Sequence, residues 1–284
     1  MACLRASSQK LDVRFALISD PHFGKPAYYE GKLRKLSEQA PALTHAFVER
    51  MNSTTRPDLV VNLGDVIEDE NRESDLSNYG KFVDILAKLD APVLHVAGNH
   101  DFVHLGADDL RGLWGHTGAL YYSRRLGGVH FSVLHTIEKK DESVRLPDEE
   151  LEWLKGDLER AEPPVVLLMH HPASEMVLTG NRWFEHAPHI CRVAERRRLR
   201  ALLEASGKVV AVFNGHVHWN HFDLIAGIPY VTVQSLTENL DDDAPGRPAR
   251  AFAVCDLGAE RLNVEIQGEE THRYQVELGG RRVG

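Results

Sequence analysis

Five short apolar segments of this chain are each followed directly by a polar turn that carries Asp, His or Asn. Apolar runs of this length, bounded by Gly and Pro, are typical of buried strands. In an open α/β sheet the carboxyl ends of parallel strands meet at one edge, and ligands bind there. The pattern therefore predicts that the five turns converge on one site. The segments are residues 14–18, 59–63, 93–97, 165–169 and 209–213.

Helical patterns separate these strands in the first part of the chain, whereas strands follow one another in the last part. Helical spacing occurs over residues 31–52 (interrupted by Pro41), after a polar loop at 68–78, after Pro147 and over 190–205. Strand patterns without intervening helices follow at residues 230–233, 251–254 and 262–266. This order predicts an α/β fold whose later strands form a second sheet against the first. We expect one domain over residues 13–278, with 1–12 as a lead-in and 279–284 as a tail.

Composition narrows the classes of partner. The net charge of −9 disfavours nonspecific attraction to nucleic acid or to an anionic membrane, so neither is an expected partner. Three cysteines, far apart and without a CxxC pair, indicate neither a disulfide framework nor a thiolate zinc site. The sequence contains no apolar stretch of signal-peptide or membrane-span length, which predicts a cytoplasmic protein. Its 16 histidines are a first indication of metal chemistry.

The turns after the strands supply carboxylates, an amide and imidazoles, which are oxygen and nitrogen ligands without sulfur. Such a set suits Mn, Fe, Zn or Co. Each motif alone is compatible with an ordinary polar turn, but Gly-His-x-His is more specific because alternate residues of an extended segment point the same way. Seven ligands with one shared carboxylate would fit two neighbouring ions, as in two-metal hydrolases. The candidate residues are Asp20, His22, Asp65, Asn99, His100, His170, His216 and His218.

The polar turns resemble the signature blocks of the calcineurin-like metallophosphoesterase superfamily. These blocks are Asp20-x-His22, Gly64-Asp65, Gly98-Asn99-His100-Asp101, His170 and Gly215-His216-x-His218. The resemblance implies a four-layer α-β-β-α sandwich, in which two mostly mixed β-sheets are flanked by helices. It also implies a metal-dependent phosphoric ester hydrolase with two divalent metal ions (Mn, Fe or Zn) and a small phosphate-containing substrate.

The resemblance further assigns roles to individual residues. One ion would be held by Asp20, His22, Asp65 and His218, and the other by Asp65, Asn99, His170 and His216, with Asp65 as the bridge. His170 matches rather than His171, because the ligand of the family usually stands two residues before the proline. Hydroxide formed at the metals would attack phosphorus. His100 would stabilise the transition state or protonate the leaving group, and Asp101 would orient the His100 ring.

Further similarities bear on the substrate. Glu68 occupies the position at which purple acid phosphatases have a tyrosine ligand, which argues against a tyrosinate–iron(III) site. Residues 152–154 and 169–172 resemble the bacterial cyclic-nucleotide and glycerophosphodiester phosphodiesterases. Tyr28-Tyr29 and residues 251–253 are instead similar to manganese-dependent ADP-ribose and CDP-alcohol diphosphatases. A phosphodiesterase is therefore the leading prediction, with a nucleoside-diphosphate-linked pyrophosphatase, a phosphomonoesterase and a non-catalytic metal-binding scaffold as alternatives. The oligomeric state stays open.

Several loop residues are candidate substrate contacts. His135 ends a strand and is compatible with either the rim of the site or a satisfied core position. The run at residues 196–200 is rich in arginine and fits an anion site or a solvated helix face. The two other loop groups, each equally compatible with plain surface, are Asn181, Arg182 and Trp183, and Trp219, Asn220 and His221.

Overall fold

The apolar segments predicted as strands lie in two six-stranded sheets. A computed structural model describes residues 11–139 and 142–279, so most of the predicted lead-in and tail falls outside the described residues. The first sheet contains β1 (Asp12–Ile18), β4 (Leu59–Asn62), β5 (Val93–His95), β12 (Phe252–Gly258), β13 (Arg261–Gln267) and β14 (His272–Glu277). The second contains β6 (Tyr122–Leu126), β7 (Val129–Val133), β8 (Val165–Leu168), β9 (Val209–Asn214), β10 (His221–Ile225) and β11 (Ile228–Thr232). A small hairpin is formed by β2 (Ala27–Tyr29) and β3 (Lys32–Lys35).

Both sheets are mixed, and each has a parallel centre. The strand order is β14-β13-β12-β1-β4-β5 in the first sheet and β10-β11-β9-β8-β7-β6 in the second. In the first sheet β1, β4 and β5 are parallel, and β12 joins β1 on its other side in antiparallel pairing. In the second sheet β7, β8, β9 and β11 are parallel. The turns that follow β1 and β4 therefore leave the first sheet at one edge, and those that follow β8 and β9 leave the second sheet at one edge.

Six helices and three shorter turns connect the strands. The helices are α1 (Ala40–Arg50), α2 (Arg72–Leu86), α3 (Ala107–Trp114), α4 (Asp148–Arg160), α5 (Pro188–Cys191) and α6 (Arg196–Ser206), all within the described ranges. The shorter turns are 3-10 segments at Ser37–Gln39 and His100–Phe102 and a π-helical segment at Met51–Thr55. The helix predicted after Pro147 is α4. Its first turn has three acidic residues, where the helix dipole favours negative charge.

Alternation of side chains along the strands produces the layers. In β1, Phe15 points between the two sheets, where its ring meets Phe131 and Phe213 edge-to-face at centroid distances of 5.5 and 5.6 Å. Ala16 and Ile18, on the opposite face of the strand, pack with the helices outside the first sheet, in a cluster that includes residues of α1, α2 and α3. A third apolar cluster packs α4 and α6 on the second sheet. Helix, sheet, sheet and helix thus form four layers, and the predicted α-β-β-α architecture is confirmed.

Three local predictions were wrong. Residues 31–35 form a strand and a turn of the hairpin rather than helix, and Pro41 opens α1 instead of interrupting it. Proline suits the first turn of a helix because its missing N–H has no intrahelical partner there. The predicted polar loop at 68–78 becomes helical at Arg72, where the Asn71 side chain caps α2 by accepting the Ser74 N–H at 3.1 Å.

Among the described residues, no helix combines the length and the apolar character needed to cross a membrane.

Candidate metal centre

The predicted ligand residues converge in space, and most of them have an unusual backbone. Asp20, His22, Asp65, His216 and His218 all have positive φ angles, between 46° and 69°. Non-glycine residues rarely adopt this left-handed region, and strain of this kind concentrates at functional sites. Five of the seven predicted ligands therefore lie on loops held in a conformation that local preference disfavours.

Two glycines of the signature blocks allow these loops to touch. A Cβ on Gly98 would lie 2.2 Å from the Asp65 backbone nitrogen, and a Cβ on Gly215 would lie 2.4 Å from Asp20 Oδ2. The His216 backbone N–H donates to the Asp20 carboxylate at 3.0 Å. Glycine is required at both positions because any side chain would separate the loops.

One group of donors contains Asp20, His22 and His218, all fully or almost fully buried. The two imidazoles face each other with their Nε2 atoms 3.0 Å apart, and His218 Nε2 is 3.5 Å from Asp20 Oδ1. Behind the rings, His218 Nδ1 meets Glu238 Oε2 at 2.6 Å and His22 Nδ1 meets Glu68 Oε2 at 3.0 Å. Carboxylates that hold the far nitrogen of an imidazole are the usual supports of metal-binding histidines.

The second group is centred on Asp65 and His170. His170 Nε2 lies 3.2 Å from Asp65 Oδ2 and 3.1 Å from Asn99 Oδ1, while its Nδ1 bonds the Leu63 carbonyl at 2.8 Å. His216 uses Nε2 for the carbonyl of Ile190 at 3.0 Å, and it has a ring nitrogen within 4.8 Å of one in His170. Each imidazole thus has one nitrogen held by a backbone carbonyl, and the other nitrogen of His170 faces Asp65 and Asn99.

His171 shares this neighbourhood, with its ring centroid 4.1 Å from that of His216. Both of its ring nitrogens have protein partners, since Nδ1 meets Thr136 Oγ1 at 2.7 Å and Nε2 meets Glu138 Oε2 at 3.2 Å. His171 belongs to a possible donor group with His170 and His216, but its paired nitrogens make it the less suitable ligand, and the choice of His170 stays a prediction.

Charges at the centre suit a cation. Burial raises the pKa of Asp20, but the hydrogen bond from His218 and the charges of nearby imidazoles outweigh it and hold the pKa at about 2. Burial lowers the pKa of His170, yet the Asp65 carboxylate outweighs it and raises the pKa to about 10. In the protein alone, protons on imidazoles therefore balance the buried carboxylates. Divalent metal ions would take over that role and release the protons, as metal binding to such sites does.

The distances and protonation of these side chains also suit metal binding. The Nε2 atoms of His22 and His218, 3.0 Å apart, can share at most one proton, so at least one of them carries a lone pair there, as a metal ligand must. Burial and, to a lesser extent, the charge of Lys35 lower the pKa of His22 to about 4, which keeps its ring neutral. Neutral imidazoles and ionised carboxylates without sulfur fit divalent ions such as Mn, Fe or Zn.

His100 lies at the edge of the centre, with a ring nitrogen within 4.8 Å of donor atoms of His22 and Asp65. Its Nδ1 makes a short contact with the Asp69 carboxylate, and its backbone N–H donates to Asp65 Oδ1 at 2.9 Å. Burial and, to a lesser extent, the charge of Lys35 lower the pKa of His100. The carboxylates of Asp65, Asp69 and Glu68 outweigh both effects and raise this pKa. These carboxylates therefore favour the protonated form of this ring.

The predicted contact between Asp101 and the His100 ring is wrong. The fully buried Asp101 carboxylate accepts the backbone N–H groups of Asp65, Val66 and Gly98 at 3.1, 2.8 and 2.9 Å. It turns toward these N–H groups because they would otherwise be buried without partners. Asp101 therefore joins the two loops that carry Asp65 and Asn99, and Asp69 is the carboxylate that contacts His100.

Sequence reasoning did not predict four side chains that support the site, which are Lys35, Glu68, Asp69 and Glu238. Buried Lys35 pairs with Glu68 at 2.9 Å and lies 5.3 Å from the centroid of the Trp183 ring, while Glu238 supports His218. Lys35 was assigned to a helix, which gave it no direction toward the site. Glu238 follows β11 without a motif, so nothing in the local sequence pointed to it. One signal for these supports could have been recognised in the sequence, since Glu68 is a carboxylate in the same loop as Asp65.

The structure places the candidate substrate contacts in different surroundings. Asn181 and Trp183 lie beside the Gly-His-x-His turn, and the Trp183 ring contacts His218 at a centroid distance of 5.6 Å. His135 stacks on Phe102 at 4.7 Å, and its backbone N–H donates to Glu150. Elsewhere Asn220 bonds Gln234, and His221 begins β10.

The arginine run forms ion pairs on the surface of α6. Arg196 and Arg200 pair with Glu175 at 3.1 and 2.8 Å, and Arg198 pairs with Asp148 at 2.6 Å. These pairings favour the solvated helix face over an anion site.

Comparison with known proteins agrees with this geometry. The calcineurin-like phosphoesterase family matches residues 13–220. A probable cyclic nucleotide phosphodiesterase of Rhodococcus erythropolis is 23% identical over 244 residues, covering 84% of this chain and 77% of that protein. The 3',5'-cyclic adenosine monophosphate phosphodiesterase CpdA of Haemophilus influenzae is 24% identical over 236 residues, covering 77% of each.

Among solved structures, a dimetal phosphatase from Danio rerio superposes with a TM-score of 0.77 at 17% identity, covering 95% of this chain and 100% of that one. This likeness concerns the fold. The family match includes every predicted ligand, and the names of the relatives agree with the resemblance to the bacterial cyclic-nucleotide branch. The chain therefore belongs to the calcineurin-like phosphoesterase family of metal-dependent phosphoric ester hydrolases.

Proposed function

We propose that this protein is a dinuclear-metal-dependent phosphodiesterase that hydrolyses a small organic phosphate of the cyclic-nucleotide or glycerophosphodiester type. One ion would be bound by Asp20, His22, Asp65 and His218, and the other by Asp65, Asn99, His170 and His216. The observation that carries this proposal is the position of the Asp65 carboxylate between the two groups. Its Oδ2 is 3.2 Å from His170 Nε2 and 4.0 Å from His22 Nε2, as a bridging carboxylate requires.

Residues of the chain would divide the work of the reaction. Bound divalent ions would neutralise phosphoryl charge and make a water molecule more acidic. The His100 ring, fixed at Nδ1 by Asp69, would use its other nitrogen to give a proton to the departing alkoxide. Its raised pKa favours the protonated form that this step needs.

A diester is favoured over the alternatives for two reasons. The alkoxide that leaves a phosphate ester needs a proton, whereas the phosphate that leaves a pyrophosphate is stable without one, so an imidazole with a raised pKa favours an ester over a pyrophosphate. Two relatives that match most of this chain have names that denote cyclic-nucleotide phosphodiesterases. A non-catalytic scaffold is disfavoured because the full predicted set of ligands is present.

Substrate preference can be tested with enzyme stripped by chelation and then reloaded separately with Mn²⁺, Fe²⁺ or Zn²⁺. The panel would contain bis(p-nitrophenyl) phosphate, cyclic nucleotides, glycerophosphodiesters, ADP-ribose, a CDP-alcohol and phosphomonoesters. We expect kcat/KM for the best natural diester to exceed that for monoesters and pyrophosphates by about tenfold or more. A preference for ADP-ribose or CDP-alcohols, or activity on monoesters alone, would replace this proposal by the corresponding alternative.

A further inference from the structure

A pair of aromatic rings extends from the metal centre toward solvent. The Trp183 ring contacts the His218 imidazole at a centroid distance of 5.6 Å, and the Tyr29 ring lies beyond it at 5.2 Å, tilted by 38°. Trp183 is half-buried, and Tyr29 is 39% exposed. We refer to Tyr29 and Trp183 together as the aromatic shelf. It begins at a predicted metal ligand and ends in water.

Trp183 is held rigidly by its own loop. The Asn181 side chain is almost completely buried, and its Oδ1 accepts the N–H groups of Trp183 and Phe184 at 3.0 and 2.9 Å. Asn181 Nδ2 donates to the carbonyl of Val217, between the two histidines of the Gly-His-x-His turn. The Trp183 indole N–H donates to Glu238 at 3.3 Å. The loop therefore has a fixed position relative to the metal centre.

Tyr29 is presented by a hairpin that is also fixed. Lys32 and the buried Arg34 of β3 both pair with Asp242, at 2.6 and 2.5 Å. The Asn239 side chain donates to the carbonyl of Leu33 at 2.9 Å. Two partly exposed aromatic rings on rigid supports form a binding surface that loses little entropy when a ligand stacks on it.

The polar side chains around the aromatic shelf indicate which part of a substrate it would bind. Lys35 Nζ lies 5.3 Å from the centroid of the Trp183 ring, but it is already paired with Glu68 at 2.9 Å. The other cations around the shelf are paired as well, Arg182 with Glu238 and both Lys32 and Arg34 with Asp242. A second phosphate would have to displace these carboxylates from their partners, whereas a neutral planar ring needs no counter-charge. We propose that the aromatic shelf binds the planar ring of the substrate, the base of a nucleoside, while the phosphate lies at the metals. This inference rests on the proposed function and specifies the substrate class.

The first test compares Tyr29→Ala with Tyr28→Ala. Tyr28 is the matched control because it is the neighbouring tyrosine of the same strand, is 66% exposed and has no ring partner among the described residues. For Tyr29→Ala we expect KM for a cyclic nucleotide to rise about tenfold, the size of a lost base–aromatic stack. KM for a glycerophosphodiester, which has no ring, should be unchanged, and Tyr28→Ala should change neither. An equal change of KM for both substrates would overturn the proposal.

The second test measures binding without turnover, so that it remains decisive if the enzyme hydrolyses no diester. Calorimetry would compare AMP with ribose 5-phosphate, which has the same phosphate and sugar but no base. All proteins would be metal-loaded and carry His100→Ala, so that a phosphomonoesterase activity does not consume these ligands. In this background Tyr29→Ala should weaken binding of AMP about tenfold and leave binding of ribose 5-phosphate unchanged. p-Nitrophenyl phosphate distinguishes the ring type, since an equal loss for this ligand would overturn the assignment to a nucleoside base. Protein with Tyr29 intact that binds AMP no better than ribose 5-phosphate would overturn the shelf itself.

Discussion

Two buried carboxylate clusters in this protein have opposite constructions. Asp157 of α4 lies beneath β6 and β7, where Ser123 Oγ donates to Oδ1 and Ser132 Oγ to Oδ2, each at 2.8 Å, and His130 Nε2 meets Oδ2 at 2.8 Å. Burial raises the pKa of Asp157, but the hydrogen bonds from His130, Ser132 and Ser123 outweigh it and lower the pKa. Every partner comes from a regular strand, and none of these residues has a positive φ.

The metal centre is built on loops instead. Asp20 and Asp65 have positive φ and, like Asp157, each has an oxygen that faces an imidazole nitrogen, of His218 and His170 respectively. At the metal centre, however, the far nitrogens of these imidazoles are held by Glu238 and by the Leu63 carbonyl, and several donor atoms converge within 4.8 Å of one another. Burying charge for stability and burying it for a cation therefore require different surroundings.

Among the variants that test this contrast, Asp65→Ala should have the largest effect. Because the Asp65 carboxylate lies between both donor groups, its loss should remove both ions together and lower kcat/KM on the order of 10³-fold. Elemental analysis of purified protein measures the metal content. Retention of one ion at full occupancy would remove the bridging role.

His100→Ala should leave both ions in place and lower kcat on the order of 10²- to 10⁴-fold, because a proton donor is lost. Asp69→Asn should have a smaller effect, about 10- to 100-fold, since it changes only the support of that ring. Metal analysis and kcat with a diester substrate measure both variants. Turnover by His100→Ala at the wild-type rate would exclude the proton-donating role, and larger damage from Asp69→Asn than from His100→Ala would reverse the order of the two residues.

Asp157→Asn should affect stability alone. Loss of charge-assisted hydrogen bonds should lower the free energy of unfolding by about 1–3 kcal/mol. Since the folded-state pKa of Asp157 is lowered, its stabilising contribution is complete above the ordinary carboxyl pKa of 3.8 and is lost as the pH falls through the folded-state value. Urea unfolding of both proteins at neutral and acidic pH should therefore show a difference that narrows in acid. Altered metal content in this variant would contradict the separation of the two clusters.

Local sequence was sufficient where a strand and its ligand are adjacent. Ile18 and Asp20, or Phe213 and His216, belong to the same apolar-then-polar unit, so the strand period and the turn predicted their place together. The layers followed from the order of these units. The hairpin was missed because Leu33 and Leu36 also fit a helical spacing, and the burial that decides between the two comes from residues distant in the chain.

The supports of the site could not be predicted in the same way. Glu238 contacts His218, and Lys35 contacts Glu68, only because the fold brings separate loops together. Asp101 was placed in the right motif but with the wrong partner, since its direction depends on which N–H groups of the neighbouring loop lack another acceptor.

The place of β1 within its sheet has a consequence for how the protein forms. This strand leads to Asp20 and His22, yet one of its two neighbours is β12, paired from Asp12 with Gly258 to Leu17 with Ala253. On the ribosome, β1 therefore keeps one hydrogen-bonding edge unpaired until the residues of β12 have emerged. A fragment ending at residue 220 would contain every predicted ligand and still lack the strand that closes this edge.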